Sequence, residues 1–202
     1  VDMRGVFLDN ADLRGCDLRG ADLWRAVACR ADLTDARLDG AHVAEANFGR
    51  AVLARASLAG LRFERTVLRG ADLTGAVLDG ARFEGGDLSE SVLSGASLRD
   101  VEAHSLLLMT VDLSRAILSG AKLVKCNLLQ CNLRGAVLDG VTLTSCVLLG
   151  CDGAGASFVG AQADNLRVVK DCNLDGANFR GASVKGATLR ETSMKAAVFA
   201  EA

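Results

Sequence analysis

The 202-residue sequence has no proline and no tyrosine, one tryptophan (Trp24) and two histidines, His42 and His104. Its longest apolar run, Ala196–Ala200, is five residues, against the roughly 20 that a membrane-spanning helix needs. No N-terminal stretch joins a charged start to an apolar middle and a small-residue cleavage site, so no signal peptide is read there. Charge is nearly balanced, 23 Lys and Arg against 25 Asp and Glu, and the pI is near 5.7. Neither a basic surplus nor a run of like charge points to nucleic acid. Two His and no Tyr leave little for acid–base chemistry. Glu102, His104 and Ser105 are close in sequence, but they follow one another along an outward edge rather than converge as a triad must. No GxGxxG or P-loop spacing occurs. The chain reads as non-catalytic, with no cofactor and no metal.

What is abundant is small and apolar. Hydrophobic residues make up 50% of the chain and its mean hydropathy is +0.26, which argues against disorder. They recur with a period of five. Ala71–Gly80, ADLTGAVLDG, is two copies of one unit that reads small, polar, Leu, variable, Gly. The register runs from Val1 to about Asn165, with Leu or Phe at most third places, and 19 of the 22 glycines fall at the fifth. Six of the seven cysteines (Cys16, Cys126, Cys131, Cys146, Cys151, Cys172) occupy first places, where Ala is commonest. They read as small buried hydrophobes rather than disulfide or metal ligands. Reduced thiols point to the cytoplasm.

A Leu every five residues would spiral around a helix and make no apolar face. Gly recurring every five would cost a helix about 1 kcal/mol each. The consistent alternative is a short extended piece and a turn, with places one and three inward and two, four and five outward. The lack of Pro fits stacked backbone ladders, which need every N–H.

The units ADLRG (Ala11–Gly15), ADLTG (Ala71–Gly75) and ANFRG (Ala177–Gly181) resemble the A(D/N)LxG signature of the pentapeptide-repeat proteins over essentially the whole chain. That resemblance implies an all-β, right-handed quadrilateral β-helix with four units per coil, hence residues 20 apart stacked in about ten coils. Within it, Ala28 and Ala103 are undersized third-place residues with Phe48 and Phe83 next to them in their columns. Gly153 has no such neighbour, and a void or distortion is expected there. The six residues Leu166–Asp171 stand where five belong, so one bulged corner is expected inside a single domain spanning 1–202. The repeat is still in progress at both ends, and the first residue is Val. Flanking segments in a larger protein, or end-to-end packing of chains, are therefore expected.

Two outward columns carry candidate sites. Asp12, Asp32, Asp72, Asp112 and Asp152 share one, interrupted by Val52 and Val92. Such side chains cap turn N–H groups. The resemblance adds another role, because gyrase-protecting family members present a rod of DNA-like width and charge. The column is thus a candidate strip for mimicking DNA toward DNA gyrase or topoisomerase IV, diluted by Arg14, Arg62, Arg82 and Arg134. The second site is apolar. Met109, Leu129 and Leu149 form one fourth-place column with Leu107 and Val147 beside it, near the size at which exposed patches mark interaction sites. It is expected to dock a protein partner, another domain of the same polypeptide or a second copy. The last coils are basic, with Arg167, Lys170, Arg180, Lys185, Arg190 and Lys195 outnumbering Asp171, Asp175, Glu191 and Glu201. This charge set protects the edge, or meets an anionic partner.

Overall fold

In the computed structural model, which describes residues 1–202, each unit of five places its backbone groups by one rule. The first-place N–H closes a turn onto the carbonyl three residues back, as Val6 N does onto Met3 O. The second-place N–H donates to the preceding coil (Asp22 N to Val1 O), and those of places three and five donate to the following one (Met3 N to Asp22 O, Gly5 N to Trp24 O). The fourth N–H is left over. An Asp or Asn at the second place takes it, as Asp32 Oδ1 does from Thr34 N at 3.0 Å. Most backbone donors thereby have a partner without a helix, as buried peptide groups require.

Stacking every 20 residues makes four parallel ladders. One runs through Asp2, Asp22 and His42 and, after a gap, from Arg62 through Arg82, Glu102, Lys122 and Thr142 to Gln162 and Ser183. In two ladders the units straighten into true strands. One sheet consists of β1 (Arg62–Glu64), β2 (Arg82–Glu84), β3 (Glu102–His104), β5 (Lys122–Val124) and β7 (Thr142–Thr144). The other consists of β4 (Leu107–Met109), β6 (Asn127–Leu129), β8 (Val147–Leu149), β9 (Arg167–Asn173) and β10 (Thr188–Ser193). The result is a four-sided parallel β-solenoid.

First and third places fill the interior. Ala, Cys and Val alternate with Leu and Phe in one continuous core of 61 buried residues from Ala21 to Ala182. Phe63 stacks on Phe83 at 4.6 Å, and Phe158, Phe179 and Phe199 stack in turn at 4.7 and 4.9 Å. The void expected at Gly153 is absent. Leu174 leans into the space, so a Cβ on Gly153 would meet Leu174 Cδ2 at 2.8 Å, and Gly153 N still bonds Asn173 O at 2.7 Å. A void lies instead beside Ala103. It is about 30 Å³ and lined only by apolar side chains, Phe83, Leu108 and Leu123 among them. Phe83 packs toward Phe63 and leaves that space unfilled.

The fifth place turns the corner at positive φ, and glycine is not required there. Asn10, Arg25, Arg50 and Glu90 hold it at φ 57, 56, 57 and 63. Their N–H bonds to the next coil offset the roughly 1 kcal/mol that this conformation costs a side-chain-bearing residue. Near residue 170 the stacking interval changes. Leu149 pairs with Val169, 20 residues on, whereas Asp152 pairs with Asn173, 21 on. The extra residue sits in the corner, where Lys170 and Asp171 are both left-handed and together oppose the single Glu191 of β10.

Candidate functional site

The apolar column lies on the sheet β4–β6–β8–β9. Each strand is flanked by turns and places its second and fourth residues on the same outer side, because alternate strand residues point the same way. Leu107 and Met109 flank buried Leu108 on β4, and Val147 and Leu149 flank Leu148 on β8. The pairing Met109–Leu129–Leu149–Val169 makes one straight column. Leu107 and Met109 are 38% and 36% exposed, while Leu129, Val147 and Leu149 are half-buried. Leu107 and Val147 are not adjacent, since polar Asn127 stands between them in the ladder. The sequence reading missed Val169. Counting in fives was broken by the inserted residue, but the shift falls after Val169, which still belongs to the old register.

The ladder then changes character. Val147 is followed by Arg167 and Val169 by Arg190. These two arginines, with Val169, Lys170 and Glu191, line a surface notch of about 300 Å³. Toward the N terminus the same face carries a second notch, of about 350 Å³, around Cys29, Arg30, Gly49, Arg50 and Arg69. There Arg69 is paired with Glu90.

The acidic column occupies the neighbouring face and is continuous as a ladder, Asp12–Asp32–Val52–Asp72–Val92–Asp112–Asn132–Asp152. Its carboxylates accept hydrogen bonds from their own backbone two residues on. Arg14 N, Thr34 N, Thr74 N, Ser114 N and Ala154 N donate to Asp12, Asp32, Asp72, Asp112 and Asp152 in turn. Arginine neutralises both ends, with Arg14 at 2.7 Å from Asp12 and Arg134 at 2.8 Å from Asp152. The Arg14 guanidinium, together with the Arg14 backbone N–H, lowers the Asp12 carboxyl to about 2.

The remaining polar groups are dispersed. His42 Nδ1 lies 2.9 Å from Asp22. Glu102 lies between Arg82 and Lys122 at 3.2 and 3.4 Å, so it does not serve His104. No three His, Cys, Asp or Glu side chains converge as a metal site would require. Five of the seven thiols, Cys126, Cys131, Cys146, Cys151 and Cys172, lie within the core. Cys146 is pushed up by its hydrogen bond with Cys126 and by burial, and Cys151 is pushed up to about 11, chiefly by Cys131. No helix is long and apolar enough to cross a membrane.

The family profile described as Pentapeptide repeats matches in eight copies, which together cover residues 8–165 and 171–202. Inside that span only residues 166–170 go unmatched. Among solved structures, the chain is similar to HetL, a pentapeptide repeat protein involved in heterocyst differentiation regulation from the cyanobacterium Nostoc sp. strain PCC 7120. The two share 28% identity over 98% of this chain and 86% of that one, at a TM-score of 0.59. A trypsin-treated form of QnrB1, a plasmid-mediated fluoroquinolone resistance protein, matches at 17% identity over 91% of this chain and 88% of that one, at a TM-score of 0.38. No curated protein sequence matches the chain.

Proposed function

Because the chain belongs to the pentapeptide-repeat family, whose rod buries its repeated residues and leaves only the outer places to meet other molecules, we propose that it is a non-catalytic protein-interaction scaffold. It docks a protein partner, or another domain of the same polypeptide, on the flat face formed by β4, β6, β8 and β9. The observation that carries this reading is the straight apolar column Met109–Leu129–Leu149–Val169 with Leu107 and Val147 beside it. A solenoid has no structural need for such residues outside, since its core is filled from the first and third places. Exposed apolar side chains in consecutive coils are what a docking surface requires. Seven unpaired thiols, five of them buried, support a reducing compartment such as the cytoplasm.

The double substitution Leu129→Arg, Leu149→Arg tests the reading. Both side chains are partly exposed, so the rod should fold and keep its circular dichroism spectrum. In the complete protein the variant should lose a bound partner, or an oligomeric state seen by sedimentation, that the unaltered protein retains. An identical partner profile and identical sedimentation would refute the docking face. The reading as a DNA mimic aimed at DNA gyrase or topoisomerase IV has weaker support, because the carboxylates of Asp12 to Asp152 are engaged by turn N–H groups and flanked by Arg14 and Arg134. Inhibition of gyrase supercoiling, or its protection from a quinolone, would transfer the proposal to that column.

A further inference from the structure

We propose that the cationic notch at the C-terminal end of the apolar strip binds a carboxylate of the docked partner, so that the scaffold's ligand is a protein segment bearing two or three apolar side chains with an Asp or Glu at one end of them. The proposal rests on the apolar strip being the docking surface, and it adds the chemistry of what docks there.

Both apolar columns of this face end on an arginine. The second-place column runs Leu107, Asn127, Val147, Arg167, and the fourth-place column runs Met109, Leu129, Leu149, Val169, Arg190. At about 4.8 Å per coil, Arg190 lies about 19 Å from Met109, so one short segment lying along the rod axis reaches both ends. Val169 lines the notch as well as the strip, and the two surfaces are therefore continuous. The three cations of the notch, Arg167, Lys170 and Arg190, take part in none of the 15 ion pairs of the molecule. Their charge is directed to solvent.

The notch is also where the repeat is altered. Residues 166–170 are the internal stretch that no repeat copy matches, and the inserted residue gives a corner with two left-handed residues, Lys170 and Asp171. That corner places Lys170 in the lining of the notch beside Arg167 and Arg190. A guanidinium pair with an adjacent ammonium suits a carboxylate, which accepts two N–H bonds from each fork. Glu191 lines the notch and Asp171 stands on the bulge, so three cations face two acids. This small surplus fits one or two carboxylates. It does not fit a nucleic-acid backbone, whose binding depends on many uncompensated cations.

A random peptide display library, selected on the full chain, tests the assignment. Peptides selected on the unaltered protein should share apolar residues with an adjacent Asp or Glu, and a synthetic consensus peptide should bind less tightly as salt rises. Replacing Arg167 and Arg190 together by Gln should weaken that peptide by about tenfold or more and remove the acidic preference from a repeated selection, while apolar residues are still selected. Deleting Lys170, which returns the corner to five residues, should have the same effect without touching either arginine. An acid-free consensus, or unchanged affinity in both variants, overturns the carboxylate assignment and leaves the apolar face standing. Selected peptides that bind Leu129→Arg, Leu149→Arg as well as the unaltered protein overturn the docking face itself, and this proposal with it.

Discussion

Replacing Ala103 by Val should stabilise the rod by about 1 kcal/mol. Ala103 sits in a third-place column between Phe83 and Leu123, is completely buried, and borders the apolar void of about 30 Å³. Valine adds two carbons, each worth about 0.8 kcal/mol on burial. Filling the void removes a further cavity cost of about 24 cal/mol per Å³, or about 0.7 kcal/mol. Together these set an upper limit near 2 kcal/mol, from which adjustment of Leu108 and Leu123 around an imperfect fit subtracts part. A β-branched residue at the centre of β3 also suits the strand. Equilibrium denaturation in guanidinium should show a higher midpoint with an unchanged slope, and thermal unfolding should rise by about 2–4 °C. Ala28→Val is the control, since Ala28 is as deeply buried and no void adjoins it. It should be neutral or destabilising. A lower midpoint for Ala103→Val with an unaltered circular dichroism spectrum would mean that the core has closed around Ala103, and the reasoning would fail.

Two other measurements follow from the charged corners and the thiols. Arg4 and Arg14 hold the Asp2 and Asp12 carboxyls down to about 2, mainly through side-chain hydrogen bonds, from an ordinary value of 3.8. A folded pKa below the unfolded one gives stability that is complete above about pH 4 and lost as pH falls toward 2. Melting temperature should therefore drop across that window, and less steeply in an Arg4→Gln, Arg14→Gln variant. Parallel curves would show that these exposed pairs contribute nothing. With a thiol reagent at neutral pH, only Cys16 and Cys29, the two partly exposed cysteines, should react in the native protein. Cys29 should be the slower, because burial and the nearby Asp9 push its pKa up. Immediate reaction of all seven would contradict the packing of the first-place columns.

The architecture was legible because a period of five with a small residue, a Leu and a Gly admits few structures. The stacking interval of 20 was not contained in that period and came from the family resemblance. Two errors share one cause. At Gly153 and at Ala103 the side-chain sizes within a column do not decide the packing, which depends on which way a neighbour leans. Leu174 leans into the gap at Gly153, and Phe83 leans away from the one at Ala103. Direction of lean follows from rotamers and vertical contacts, which a column of letters does not specify. The candidate strip was legible as five residues and incomplete by one, Val169, because the position of a bulge within six residues depends on which two of them accept a left-handed backbone.

The straightening of that face into strands has an explanation in the columns. A second-place Asp or Asn bonds the fourth-place N–H and holds the unit in a turn. Among the strand units on these two faces, only Asn127 carries such a residue, and it stands between Leu107 and Val147, which do not. Conversely Val52, with no capping group, keeps the turn of Asp32 and Asp72 on either side of it. Units follow their vertical neighbours, as they must when each shares its ladder bonds with the coils before and after it. The face opposite β4 to β8 lacks second-place caps over several coils and still keeps its turns. There Asp79 and Asp139, at fourth places, accept the fourth-place N–H of Arg99 and Val159 in the following coil. The units of Ile117 and Val137 on that opposite face lack both kinds of cap and still turn, so the absence of caps permits the flat sheet of residues 107 to 169 without sufficing for it. The same loss frees the second and fourth places from capping, so that apolar side chains can occupy them side by side. A flat backbone and an apolar surface on one side of the rod thus share one precondition, a column short of acidic caps. Restoring Asp at 107 and 147 would remove apolar residues and, through the shared ladder, draw β4, β6 and β8 back toward turns.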